Sequence, residues 1–171
     1  MSIFDRFKKA AVGFSRGMLG QGTINFHTVT TIRKIVDGEY VDERRVVKDK
    51  CVTTAFVDFI VDQLQTETSA FGDFKYHELG LGTTAAAVGD TALETTTSIA
   101  RATGSQTETD HDTYKSVATT TCDATEAITE HGIFNASTAG TLWDRTVFSA
   151  INVVSGNQIE TTFEGSFTAG G

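Results

Sequence analysis

Residues 23–47 read TINFHTVTTIRKIVDGEYVDERRVV, and this stretch decides the fold class. Apolar and polar side chains alternate from Ile24 to Ile35, which is the pattern of a half-buried β-strand. Asp37-Gly38 is a dipeptide that strongly favours a two-residue hairpin turn, and residues 40–47 then form a second strand. The stretch therefore predicts an antiparallel hairpin in a mainly β protein.

Further strands are expected along the rest of the chain. They are predicted over residues 74–81, 91–102, 114–122, 126–134, 141–154 and 158–167. The polar residues 103–113 and 135–140 are predicted to be loops between strands. The fold class that follows is an antiparallel β-sandwich or jelly-roll-like body, in which residues 23–171 form a single β-rich domain.

The composition favours the same fold class. The chain has 171 residues, with 29 Thr, 16 Gly and no Pro. Thr suits half-buried pleated surfaces and Gly suits the tight turns that join strands. A chain of this length can bury a core without a metal or a disulfide, and Cys51 and Cys122 are isolated in the sequence.

One segment of the body, residues 52–66, has a helical period instead. Its apolar residues fall on one face, and Asp58, Asp62 and Gln63 lie on the other side. We expect one helix here that packs across a sheet. The apolar positions are Val52, Phe56, Phe59, Ile60 and Leu64.

Residues 1–22 form an N-terminal arm with the pattern of a basic amphipathic helix. Such an arm must cover its phenylalanines with its own body, with a sister subunit or with another partner, and a membrane surface is a third and weaker option. The residues predicted to bind a partner are Ile3, Phe4, Arg6, Phe7, Lys8, Lys9, Phe14 and Met18.

The charge of the chain is divided unevenly. Residues 1–50 carry ten basic and six acidic side chains, whereas the remainder carries four basic and sixteen acidic ones. An acidic body repels phosphates, so nucleic acid is not an expected partner. No apolar run reaches the length of about 20 residues that spans a bilayer.

The basic residues of the first hairpin are expected to form surface salt bridges with Glu39, Asp42, Glu43 and Asp49. They are Arg33, Lys34, Arg44, Arg45, Lys48 and Lys50.

Four sequence patterns suggest chemistry, and each has a simpler structural interpretation. Ser15 lies in a G-x-S-x-G pattern, but no strand precedes it. Gly80-x-Gly82 follows a strand without the helix of a dinucleotide site. His131, with Glu130 and Ser149, lacks an oxyanion motif, so the simpler interpretation is a hydrogen-bonded structural histidine. The fourth pattern is an acidic loop with Glu108, Asp110, His111 and Asp112. We predict no catalytic, cofactor or metal site and no small-molecule substrate.

A resemblance to a known class of proteins covers residues 74–168. Residues 128–135 read ITEHGIFN and residues 140–149 read GTLWDRTVFS, and upstream stand residues 76–83, YHELGLGT. This arrangement resembles a C-terminal β-module of structural proteins in tailed-bacteriophage virions. The resemblance implies a non-enzymatic virion protein, assembled in the host cytoplasm. Its expected partners are copies of itself, with a trimer as one option, and the major capsid protein or other virion proteins.

Three functions remain open at this point. The preferred one is a head decoration (cement) protein whose arm and first hairpin grip the capsid while the acidic body faces solvent. The second is a neck, baseplate or tail-fibre component whose loops 103–113 and 135–140 face a partner. The third is a carbohydrate-binding β-module that stacks sugars on Tyr76, Tyr114 and Trp143.

Overall fold

The computed structural model of the protein describes residues 24–49, 52–65, 73–109 and 112–169. Within these ranges the chain forms one helix and a series of β-strands. They are β1 (Ile24–Val36), β2 (Glu39–Asp49), α1 (Thr54–Gln65), β3 (Tyr76–Gly80), β4 (Ala102–Thr103), β5 (Ser105–Thr109), β6 (Thr113–Thr121), β7 (Glu126–Phe134), β8 (Leu142–Val153) and β9 (Gln158–Ala169).

The strands form two antiparallel sheets, so the mainly β prediction is confirmed. Sheet A has the order β2-β1-β9-β6-β5, and sheet B has the order β4-β3-β7-β8. The predicted hairpin joins β1 to β2, and its turn residues Asp37 and Gly38 have φ angles of 51° and 84°. Both residues of a type I′ turn need positive φ, which explains the choice of Asp-Gly.

The space between the sheets holds two apolar clusters. One surrounds Ile32, Ile128, Ile151 and Ile159. The other is aromatic and contains Phe56, Phe74, Trp143 and Phe163. The two inner faces of a sandwich interdigitate in this way because side chains alternate along each strand.

Helix α1 confirms the helix predicted over residues 52–66. The hydroxyl of Thr53 accepts a hydrogen bond from the amide of Phe56 at 3.1 Å, which caps the first turn. Phe56 then stacks on Trp143 with a centroid distance of 4.4 Å and an interplanar angle of 3°. The helix therefore closes one end of the sandwich.

Two predictions about the middle of the chain were wrong. Residues 91–101 form no strand beyond a single bridge at Thr96. Together with residues 81–90 they cover the outer face of sheet B, and their backbone amides at Glu94 and Thr95 donate to the carboxylate of Glu130 instead of to a strand. Residues 105–109, predicted as part of a loop, are strand β5.

Gly104 is the residue at which the chain passes from one sheet to the other. Its amide donates to Lys75 O at 2.7 Å, and β4 on one side belongs to sheet B while β5 on the other belongs to sheet A. A Cβ at this position would lie 2.4 Å from Ser116 Oγ, so the close approach requires glycine.

Candidate functional site

The arm residues predicted to bind a partner, Ile3 to Met18, lie outside the described residues. The described chain begins at Ile24, the first residue of β1. Two residues later the ring of Phe26 packs against Phe167 at 5.0 Å and Phe56 at 6.0 Å between centroids. The start of β1 therefore lies beside helix α1.

Helix α1 has a stripe of exposed apolar side chains, formed by Val57, Val61 and Leu64. The three lie at positions i, i+4 and i+7, which places them on one face of a helix, and Leu64 is 78% exposed. Phe56 faces the aromatic cluster instead. This exposed stripe belongs to the helix whose Phe56 contacts Phe26 near the start of β1.

The charges of the arm and of helix α1 are complementary. Residues 1–22 contain four basic side chains and one acidic side chain. Helix α1 contains Asp58 and Asp62 and no Lys or Arg. The basic segment of the sequence and helix α1, which has an exposed apolar stripe, thus carry opposite charges.

The tip of the first hairpin is a separate surface. Tyr40 and Val41 are exposed there, and the Tyr40 hydroxyl donates to the carboxylate of Glu160 at 3.1 Å. The tip follows β1, whose 13 residues span about 40 Å at roughly 3.3 Å per residue. The arm and the hairpin tip thus lie at opposite ends of β1, and a partner that grips both must contact the whole length of the body.

The basic residues of the first hairpin form surface salt bridges only in part. Arg33 pairs with Glu43 at 2.7 Å and Arg44 pairs with Asp42, as predicted. Three other contacts were not predicted. In each of them a cation from β1 or β2 donates to a backbone carbonyl at the edge of β8. Their distances are 2.7 Å from Lys34 Nζ to Asn152 O, 3.1 Å from Arg44 Nη2 to Ala150 O, and 2.9 Å from Lys48 Nζ to Arg145 O.

Lys48 also pairs with Asp144, which is 1% exposed and lies between the sheets. Asp144 in turn accepts hydrogen bonds from the hydroxyls of Thr28 at 3.3 Å and Thr146 at 2.7 Å. A buried carboxylate needs such partners to remain charged. The prediction of a surface partner for Lys48 was therefore wrong, because its partner Asp144 is buried. Lys50 lies outside the described residues.

His131 is a hydrogen-bonded residue of the core, as its simpler interpretation predicted. Its Nε2 lies 2.9 Å from Nδ1 of His77, and Nε2 of His77 lies 2.8 Å from Ser116 Oγ. The third member of the suggested catalytic set, Ser149, accepts a hydrogen bond from Arg44 at 2.6 Å instead. Glu130 points to the opposite face of β7, so the structure does not bring these residues together.

Burial strongly disfavours a charge on either histidine. It lowers the pKa of His77 to about 4. Burial, and after it the charges of His77 and Lys48, holds the pKa of His131 well below its usual range. Both imidazoles are therefore neutral near pH 7 and serve as polar links between the two sheets, with Thr161 Oγ1 3.0 Å from His77 Nδ1.

Glu130 and Arg145 form a buried ion pair on the outer face of sheet B. Glu130 accepts a hydrogen bond from Arg145 Nε at 2.7 Å and another from the amide of Gly82 at 2.8 Å. Gly80 and Gly82 lie so close that a Cβ on either would be within 2.6 Å of Glu130. The Gly80-x-Gly82 pattern thus holds a carboxylate of the same chain, and no helix follows it.

Two residues of the acidic loop, Asp110 and His111, lie outside the described residues. Within the described ranges, no group of three or more His, Cys, Asp or Glu side chains is arranged to hold a metal ion. The neighbouring Thr113 donates to the carboxylate of Asp112 at 3.0 Å, and its hydroxyl also lies 2.8 Å from that of Ser166.

Two of the three aromatic residues suggested for sugar stacking, Trp143 and Tyr114, are held within the body. Trp143 is 3% exposed and lies inside the aromatic cluster. The hydroxyl of Tyr114, a half-buried residue, donates to Phe74 O at 2.6 Å. The flat, exposed ring that sugar stacking requires is therefore not supplied by Trp143.

The loop over residues 135–140 is fastened to the body rather than free. The guanidinium of Arg101 donates to Ala136 O at 2.9 Å and to Ala139 O at 2.5 Å. The same group pairs with Glu78 at 2.9 Å and lies 3.4 Å above the ring of Phe134. This loop is a fixed part of the surface of sheet B.

Comparison with known proteins adds no relative. No protein-family model matches the chain, and no curated protein and no solved structure matches it either. In the described part of the chain, no helix has the length and apolar character needed to cross a membrane. The candidate site therefore depends on the geometry of the surfaces described above.

Proposed function

We propose that the chain is a structural protein of a tailed-phage virion, most directly a capsid decoration (cement) protein that binds and stabilises the head shell. The observation that carries this proposal is the position of the Val57–Val61–Leu64 stripe beside the point where the arm joins the body. Exposed apolar side chains grouped on one helix face favour burial against another protein.

The gripping surface in this proposal is the end of the sandwich that carries the arm and helix α1. The hairpin tip lies at the other end of β1, so it contacts the shell only if the body lies flat on it. The rest of the chain after residue 50 is acidic, which suits a solvent-facing body that does not bind the packaged nucleic acid.

The buried polar groups support a structural role. His77, His131, Asp144, Glu130 and Arg145 have the burial that often marks reactive groups. Each of them instead hydrogen-bonds to other groups that hold the sheets and the 81–101 segment in place. In this proposal the chain acts through its surface, where many equivalent weak contacts on a lattice give high avidity.

The test is binding of purified chain to empty shells. Deletion of residues 1–20 and, separately, Val61→Asp should abolish or strongly weaken binding, while circular dichroism shows the β-signal of the intact chain. Val154→Asp is the matched control, since Val154 is also exposed but belongs to the segment after β8. Undiminished binding by both the deletion and Val61→Asp would overturn the proposal.

Copy number in purified virions distinguishes the site on the particle. Many copies spread over the head would support the decoration role. A few copies confined to one vertex or to the tail would favour the neck, baseplate or tail-fibre role instead.

A further inference from the structure

A cleft lined with aromatic rings lies between helix α1 and strands β6, β8 and β9. Its volume is about 260 Å³, its lining is mostly apolar, and Phe56, Phe74, Tyr114, Trp143 and Phe167 contribute to the wall. The hydroxyl of Tyr114 already donates to Phe74 O at 2.6 Å, so it is bonded within the wall. A concave site of this kind suits a large apolar side chain.

The indole N–H of Trp143 has no hydrogen-bond acceptor among the described residues, although the residue is only 3% exposed. A buried donor without an acceptor destabilises a fold, and for this reason most buried donors have a partner. Trp143 is one of the residues that line the cleft. A chain segment bound in the cleft would bring backbone carbonyl groups, which are the acceptors that this N–H lacks.

Strand β1 begins beside the cleft. The ring of Phe26 lies 5.0 Å from Phe167 and 6.0 Å from Phe56 between centroids, and both of these partners line the cleft. The arm precedes β1 in the chain and lies outside the described residues. Phe14 and Met18 are the last two residues of its apolar face. Because a chain spans up to roughly 3.3 Å per residue, both can reach the cleft from the start of β1.

The charges around the cleft are opposite to those of the arm. Asp58 and Asp62 belong to helix α1, and Asp112 adjoins Phe167, whose amide donates to Asp112 O at 2.9 Å. Residues 1–22 contain four basic side chains and one acidic side chain. Opposite charges favour contact between this basic amphipathic segment and this side of the body.

We propose that this cleft binds the N-terminal arm of the same chain, with Phe14 and Met18 against its aromatic wall. The arm of the same chain is favoured over that of a second copy, because the covalent connection to β1 gives it a high effective concentration at the cleft. This contact does not depend on the decoration role. It means that the apolar face of the arm is covered in the free subunit, so a shell that binds the arm has to draw it out of the cleft.

The test uses Trp143, the only tryptophan, as a reporter of the cleft. Quenching of its fluorescence by acrylamide should increase severalfold when residues 1–20 are deleted, because the quencher can then enter the cleft. An excess of a synthetic peptide of residues 1–22 should restore the protection. Circular dichroism checks that the shortened chain keeps the β-signal of the intact one.

Two substitutions in the full-length chain identify the occupant of the cleft. Phe14→Ser should reproduce most of the increase in quenching, whereas Phe71→Ser should not. Phe71 is the matched control because it belongs to residues 66–72, a second segment outside the described residues, which joins helix α1 to the cleft residue Phe74. An increase with Phe71→Ser but not with the arm deletion, or no increase with any of these changes, would overturn the proposal. Protection that disappears when the intact chain is diluted would show that the arm comes from a second copy, which also overturns it.

Discussion

Nε of Arg145 lies 2.7 Å from Oε2 of Glu130, and both side chains are buried on the outer face of sheet B. Arg145 also contacts Asp90 at 3.1 Å and Glu94 at 3.3 Å, both in the segment that covers this face. Glu130 accepts the amide of Thr95 from the same segment. One ion pair thus fastens residues 81–101 to the sheet.

Arg145→Met should destabilise the protein by about 3–5 kcal/mol, because it leaves the buried Glu130 carboxylate without its cation. The measurement is the free energy of unfolding in urea. Arg33→Met is the control, since its pair with Glu43 is largely exposed and such pairs contribute about 1 kcal/mol or less. Equal losses in the two variants would contradict the role of the buried pair.

The free energy of unfolding should fall as the pH decreases from about 6.5 to about 4. Burial lowers the pKa of His77 to about 4, so over this range the unfolded chain binds a proton that the folded chain excludes. The slope for one histidine reaches about 1.4 kcal/mol per pH unit. Denaturation at a series of pH values should show a smaller slope for His77→Gln. Stability that does not change between pH 4 and 6.5 would show that the His77–His131 contact tolerates a charge.

Gly165→Ala should cost about 1–3 kcal/mol and change the fluorescence of Trp143, the only tryptophan. A Cβ at Gly165 would lie 2.8 Å from Cζ2 of Trp143, and the stacked Phe56 prevents that ring from moving away. Gly89→Ala is the control, because a Cβ there meets nothing within 4 Å. Thermal melts of the two variants that coincide would refute this packing.

Arg44→Ser should increase aggregation more than it lowers stability, since it uncaps the carbonyl groups of Ser149 and Ala150 on the β8 edge. Light scattering over time at fixed protein concentration measures the effect. Arg45→Ser removes the same charge from the neighbouring, exposed position and should leave scattering unchanged. If both variants scatter alike, net charge and not the edge is responsible.

The sequence predicts those elements whose signals are local. Asp37-Gly38 specifies its own turn, and the period of two in β6 and β9 and of 3.6 in α1 follows from one buried face each. Strand β5 lacks such a signal because both of its faces are exposed, so nothing alternates in SQTET.

The remaining differences depend on partners far away in the chain. The Thr-rich residues 91–101 have the composition of a strand, but Glu130 takes the amides at positions 94 and 95. The burial of Asp144 depends on Lys48, which lies 96 positions earlier in the chain. The exposed stripe of α1 could not be predicted, because sequence periodicity does not say how much of a helix the body covers.

Strand β1 connects the base of the arm to the hairpin tip, and it is bonded on both sides along its length, to β2 and to β9. If the arm is the tether, tension on a bound subunit is transmitted straight along this central strand. Force in that direction loads all the rungs of the two ladders together, in shear, rather than peeling them apart one at a time. The body would then resist being pulled open by a load on the arm.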